Sequence, residues 1–242
     1  MINVSSYLLF GPWKVVFFYC LGCLFFGFGL SLSHGGSIAG QVIYKGTLPQ
    51  TIEYKVTRDQ EFCGTKRTYT PIGIDPTSKG VQGAAVSIRS TPLLKDSRQP
   101  QTSILMNQNC MFLPHILTTR VKDILEIRNN DPILHNTHIR RGKKTFINVA
   151  LVVDGLPIRK HLKKSGVMKV ECNAHKFMQA YILAFDHPFY SLTNPSGNFQ
   201  ISEVPPGQHK LDVWHEFLGH LTVPVEVPTK GNTSITIEFP TP

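Results

Sequence analysis

Residues 171–178 read Glu-Cys-Asn-Ala-His-Lys-Phe-Met, so Cys172, His175 and Met178 follow one another at a spacing of three on one short turn. Both flanks of the turn are strand-like. Residues 166–172 (GVMKVEC) alternate apolar and polar side chains, and 179–185 follow as a closing strand. A thiolate and an imidazole with a weak thioether suit copper, above all a centre of two His, one Cys and a weak axial Met. The turn lacks one histidine, and upstream the stretch 130–138 (NDPILHNTH) offers His135 at a strand end. His135, Cys172, His175 and Met178 are therefore the expected ligands of one mononuclear copper. Redox copper works best in a site that changes little between its oxidation states, which a stiff β-sandwich provides. Zinc would accept the same Cys and His but has little use for the Met.

The rest of the chain has the rhythm of such a sandwich. Short apolar segments at 104–106, 112–118, 124–129 and 134–140 are evenly spaced and separated by polar turns. Further strands are expected at 37–44, 52–57 and 82–89, a polar turn carrying Cys63 at 59–64, and a linker at 93–101. Past His187 the pattern gives turns at 193–199 and 204–207 and strands at 210–215, 221–227 and 233–239. No internal repeat or amphipathic helix is evident.

In the first 33 residues Lys14 is the only charge, and an apolar run precedes Ser31-Leu32-Ser33. This predicts a cleavable export signal, with an uncleaved membrane anchor as the second reading, and hence a periplasmic or other extracytoplasmic location. If Cys20 and Cys23 leave with the signal, Cys63, Cys110 and Cys172 remain. With Cys172 given to the metal, Cys63 and Cys110 form a disulfide pair, or else two buried thiols. The net charge of +9 in an exported protein points to acidic partners or anionic surfaces before nucleic acid. Much of the excess lies in Arg140, Arg141, Lys143 and Lys144 and in 159–164, which read either as a solvated face or as a docking patch.

The turn CNAHKFM resembles the short C-x2-H-x2-M loop of the cupredoxins of amicyanin type, and 122–139 resembles their segment running into the first histidine. The resemblance covers about 102–186. It implies a Greek-key β-sandwich, a type 1 (blue) copper site on His135, Cys172, His175 and Met178, and one-electron transfer through the solvent edge of His175. Asn136 is then expected to hydrogen-bond to the ligand loop or thiolate, and His138 to stand behind the ligands or act as a substitute ligand. Where the family loop carries prolines, this chain has Ala174 and Lys176, so Lys176 makes the docking surface more basic. The partner implied is an acidic redox protein, a cytochrome or oxidoreductase.

The flanking stretches 80–88 (GVQGAAVSI) and 191–214 (SLTNPSGNFQISEVPPGQHKLDVW) resemble a transthyretin-like, carboxypeptidase-regulatory sandwich. The expected architecture is all-β: a cupredoxin unit at 102–187 and a smaller transthyretin-like sandwich from 37–95 plus 188–242, tied together by the disulfide. A second functional reading is an extracytoplasmic protein- or carbohydrate-binding module with a structural or stored metal. His215 and His220 are five apart, too far for the zinc-protease helix motif, which needs its two histidines on one helical face. His115 reads as structural. No phosphate loop, nucleophile elbow or carboxylate pair argues for an enzyme.

Overall fold

Alternating short apolar segments, punctuated by Gly, Pro and Asn, become strands because each can bury one face and solvate the other. The computed structural model describes residues 35–89, 96 and 98–241. The expected signal or anchor, with Cys20 and Cys23, lies outside the described residues, as do 93–95 and 97 of the expected linker. Among the described residues, no helix is long and apolar enough to cross a membrane.

The first third contains β1 (Gly36–Ile43), β2 (Ile52–Lys55), the single-turn α1 (Gln60–Cys63), β3 (Lys66–Tyr69), β4 (Gly73–Ile74), β5 (Val81–Gln82) and β6 (Ala85–Ile88). The middle contains β7 (Thr102–Gln108), β8 (Met111–Leu113), β9 (Ile116–Arg120), β10 (Ile124–Asn129) and β11 (His135–Arg141). It continues through β12 (Lys144–Leu151), β13 (Ile158–His161), β14 (Gly166–Glu171) and β15 (Gln179–Phe185). Last come β16 (Tyr190–Leu192), β17 (Asn198–Val204), β18 (Gly207–His215), β19 (Gly219–Val227) and β20 (Asn232–Glu238).

The protein is all-β, and its middle is a β-sandwich. One sheet has the order β13-β10-β7-β8 and the other β12-β11-β14-β15-β9. Strands β7 and β10 pair in parallel, as do β9 and β15, so each sheet carries a crossover. The inward residues of both sheets, among them Leu105, Leu125, Ile127, Ile139, Met168, Val170 and Ile182, form one dry core. At one edge of that core lie Cys172 and Met178. Chain direction then fixes which end is which. His135 opens β11 and Glu171 closes β14 at one end of the sandwich, while the β11–β12 hairpin with Arg140 to Lys144 turns at the other.

Two further sheets, β17-β1-β20 and β16-β6-β18-β19, come from the segments flanking the middle. They enclose their own core of Ile38, Val42, Val81, Val86, Phe199, Ile201, Leu211, Val213 and Ile237. The turn before β17 is drawn tight by Asn194, whose Oδ1 accepts the Ser196 and Asn198 N–H groups at 3.0 Å. Gly197 closes it at φ +78, where a Cβ would come within 2.5 Å of the Val42 carbonyl oxygen. Only glycine fits both constraints there.

The outer face of β9 and β15 meets this second pair of sheets. Ile116 and Leu183 pack with Ala85, flanked by Tyr181, Phe185, Leu192 and Trp214. The segment 52–69 behaves differently from the rest of the first third: Val56 and Cys63 are buried in the core that holds Cys172. Residues 59–64, expected as a turn, carry one turn of helix, with Cys63 N–H bonded to the Asp59 carbonyl at 2.8 Å. The Cys63–Cys110 disulfide is formed, and both its halves sit in that same core.

Arg120, at the end of β9, binds Asp96 at 2.7 Å and Asp123 at 3.2 Å, with its side chain only 6% exposed. Burial pushes the Asp96 carboxyl up, but the bonds from Arg98 and Arg120 outweigh it and hold it well below the usual carboxylate range. Glu126 is lowered by Arg159 and Arg128, and Asp212 by Arg89 against the effect of burial. A carboxyl depressed in the folded state adds stability that is complete above its unfolded pKa and lost as pH falls toward the folded one. The melting temperature is thus expected to fall steeply below about pH 4. In a melting series against pH, Asp96→Asn should start lower at neutral pH and show a shallower acid decline.

Candidate metal centre

Three expected ligands come together. One donor atom each from His135, Cys172 and His175 lies within 4.8 Å of the others, and all three residues are buried. His135 enters from the first position of β11, while Cys172 follows β14 directly and starts the ligand turn. The turn is closed by its own backbone: Met178 N–H bonds the His175 carbonyl at 3.0 Å, and Cys172 N–H bonds the Met178 carbonyl at 3.3 Å. Met178 is buried in the adjoining core.

The imidazoles are held from behind. His135 Nε2 meets Asp131 Oδ2 at 2.8 Å, and His175 Nε2 meets Asp59 Oδ2 at 2.8 Å. Each ring therefore turns Nδ1 inward: His175 Nδ1 is 3.6 Å from Cys172 Sγ, and the two ring centroids are 4.9 Å apart. His135 Nδ1 is buried with no hydrogen-bond partner among the described residues. A buried nitrogen left without a partner costs stability unless something occupies it. Burial pushes the His135 pKa down against the opposing pull of Asp131, which leaves the ring neutral and able to donate its lone pair. A free buried thiol and two inward Nδ1 atoms fit a soft metal ion such as copper, and Met178 is buried in the core that the same turn borders.

The surrounding groups support the same point. Asn136 donates its backbone N–H to Cys172 Sγ at 3.4 Å, and its Oδ1 accepts from Asn173 N–H at 3.4 Å. Its side-chain amide also bonds Asn148 and Val149, stitching the ligand turn to β12. His138 does not join. It sits an odd number of residues from His135, on the opposite face of β11, where its ring meets Thr145 Oγ1 at 3.0 Å.

His175 differs from expectation. Its side chain is only 1% exposed, because Asp59 covers the edge that was expected to face solvent. Lys176 beside it is exposed. Arg140, Arg141, Lys143 and Lys144 stand at the far end of β11 and β12, and Arg140 is already paired with Glu171.

Sequence reading missed both carboxylates. Asp131 had a local signal, standing four residues before His135 in an Asn-Asp-Pro turn, and it also accepts the Asn109 and Cys110 N–H groups at 2.6 and 2.9 Å. Asp59 had none, since it lies 116 residues from His175 along the chain.

Part of the chain is similar in structure to cupredoxins. A purple cupredoxin from Nitrosopumilus maritimus matches at 21% identity and a TM-score of 0.30, over 36% of this chain and 99% of that one. Amicyanin from Paracoccus versutus matches at 14% identity and 0.32, over 41% of this chain and 96% of that one. A Cu-containing nitrite reductase from Thermus scotoductus matches at 19% and 0.31, over 40% of this chain and 25% of that one. No protein-family model matches the sequence, and no curated protein matches it.

Proposed function

We propose that the protein is an extracytoplasmic one-electron carrier with a type 1 copper site on His135, Cys172, His175 and Met178. The observation that carries this reading is the convergence of three buried donors within 4.8 Å at the end of a stiff sandwich, one of them otherwise unpartnered. Copper bound there would supply reversible one-electron redox chemistry. The chain's own contribution is to hold the ligands still. His135 is fixed by Asp131 and by its place at the start of β11, Cys172 by the Asn136 N–H, and the ligand turn by two backbone bonds. Cys172 is buried at the edge of the apolar core, which shields its sulfur from bulk solvent. Little has to move when the charge at the centre changes, and that favours transfer over catalysis.

The disulfide supports an oxidising compartment. The two sets of sheets, each with its own core, support a division into a metal-binding sandwich and a flanking transthyretin-like one. Within that division 52–69 leans on the metal side. An acidic redox protein remains the expected partner, with Lys176 the basic residue placed on the ligand turn.

A Cu(II) titration of the purified full chain, followed by visible absorption and EPR, tests the proposal. The expected result is an intense thiolate-to-copper band saturating at one equivalent, bleached by a reductant and restored by an oxidant. Binding of Zn(II) in place of copper, without any coloured centre, would overturn it. A second reading, a binding module, is favoured by a groove of about 890 Å³ whose lining includes Tyr54, Arg67, Tyr69, His115 and Glu216. That reading predicts an unchanged fold and ligand affinity after Cys172→Ser.

A further inference from the structure

We infer that Asp59 is a positioning residue for the metal centre, brought to His175 by the flanking segment 56–64 in place of solvent. The inference rests on the copper reading above and concerns what that site does differently. An imidazole offering Nδ1 to a metal keeps its proton on Nε2, and the group that accepts from Nε2–H fixes the tautomer, the ring plane and the electron density at Nδ1. Here that group is a carboxylate at 2.8 Å, on a segment with no sequence proximity to the ligand turn.

The delivery is built in. Val56 is buried in the metal-side core, and Gln60 Nε2 bonds its carbonyl at 2.6 Å. Asp59 itself takes a left-handed backbone, φ +54, a region in which Asp is among the few comfortable non-glycine residues. The following turn of helix then places Cys63 for its bridge to Cys110. The result is a buried His175, with the Phe177 ring tilted against it at 5.7 Å and the His135 ring, also tilted, at 4.9 Å.

Two consequences follow. The outer edge of His175 is not a bare contact point for a partner. In addition, a negative charge one hydrogen bond from a ligand favours the more positive state of the centre, so the wild-type potential is held down. The Asp59 side chain is 40% exposed, so solvent screens part of this effect.

Three proteins separate the parts: wild type, Asp59→Asn, which keeps an acceptor but not the charge, and Asp59→Ala, which removes both. In the metal-free full chains, nitrogen NMR at about pH 8, above the ordinary histidine range, reads the His175 tautomer. Wild type and Asp59→Asn should show the Nε2–H form, and Asp59→Ala a mixture. In the copper-loaded chains both variants should shift the Cu(I)-to-Cu(II) affinity ratio toward Cu(I) by about threefold to tenfold, where tenfold is 59 mV for one electron. Asp59→Glu should recover part of the shift. The same tautomer in all three proteins, or potentials unmoved in both variants, would overturn the inference. If no coloured centre forms in any of them, the copper reading fails instead, and the metal-free tautomers still decide the role of Asp59.

Discussion

Cys172→Ser is expected to abolish the visible band of the copper-loaded protein completely while leaving the fold in place. The band requires a thiolate bonded to the metal, and a serine hydroxyl stays protonated and hard, a poor substitute for copper. The structural cost should be small. Ser fills nearly the same volume, and its oxygen can accept the Asn136 N–H that now points at Sγ from 3.4 Å. The residue is buried at the end of a strand and not in the middle of the core, so the metal-free chain should lose about 1 kcal/mol, a few degrees in melting temperature. The separation between a total spectral loss and a minor thermal one is what identifies a ligand. A variant that kept its colour would show that Cys172 is not the thiolate. A variant that failed to fold would leave the question to Met178→Leu, which should keep the band and alter its position.

The ligand turn was legible because all its information is local: three donors at a spacing of three, between two clean alternations. The sandwich strands β10, β11, β14 and β15 were legible for the same reason. Strands β12 and β13 were not, because the charges of 140–164 hide their pattern. In β12 the alternation Thr145, Ile147, Val149, Leu151 is present but sits behind the basic hairpin, and both strands are sheet edges with little buried area to enforce it. The placement of Val56 and Cys63 in the metal-side core, and of Asp59 on His175, depends on contacts from 47 to 116 residues apart, to which strand periodicity is blind. His175 looked exposed because a short loop between strands usually is. What covers it arrives from outside the sandwich.

The double variant Cys63→Ala/Cys110→Ala should therefore do more than loosen the chain. The bridge closes a loop of 47 residues, for which the chain-entropy relation gives about 4 kcal/mol at 25 °C, a large fraction of a domain's stability. Chemical denaturation of the metal-free protein should show that loss. The bridge also stands between the two carboxylates that hold the histidines. On one side Cys63 N–H bonds the Asp59 carbonyl, and on the other Cys110 N–H donates to the same Asp131 oxygen that meets His135. With the bridge gone, both supports gain freedom although neither aspartate has changed. At a temperature well below melting, the copper-loaded variant should keep its thiolate band. Its potential should move in the direction of Asp59→Ala, and its His175 tautomers should mix. If stability drops by the expected amount while potential and tautomer stay at wild-type values, Asp59 is held by the Val56 anchor alone and the bridge is a fold restraint only. If all three move together, the disulfide belongs to the metal centre as much as to the fold.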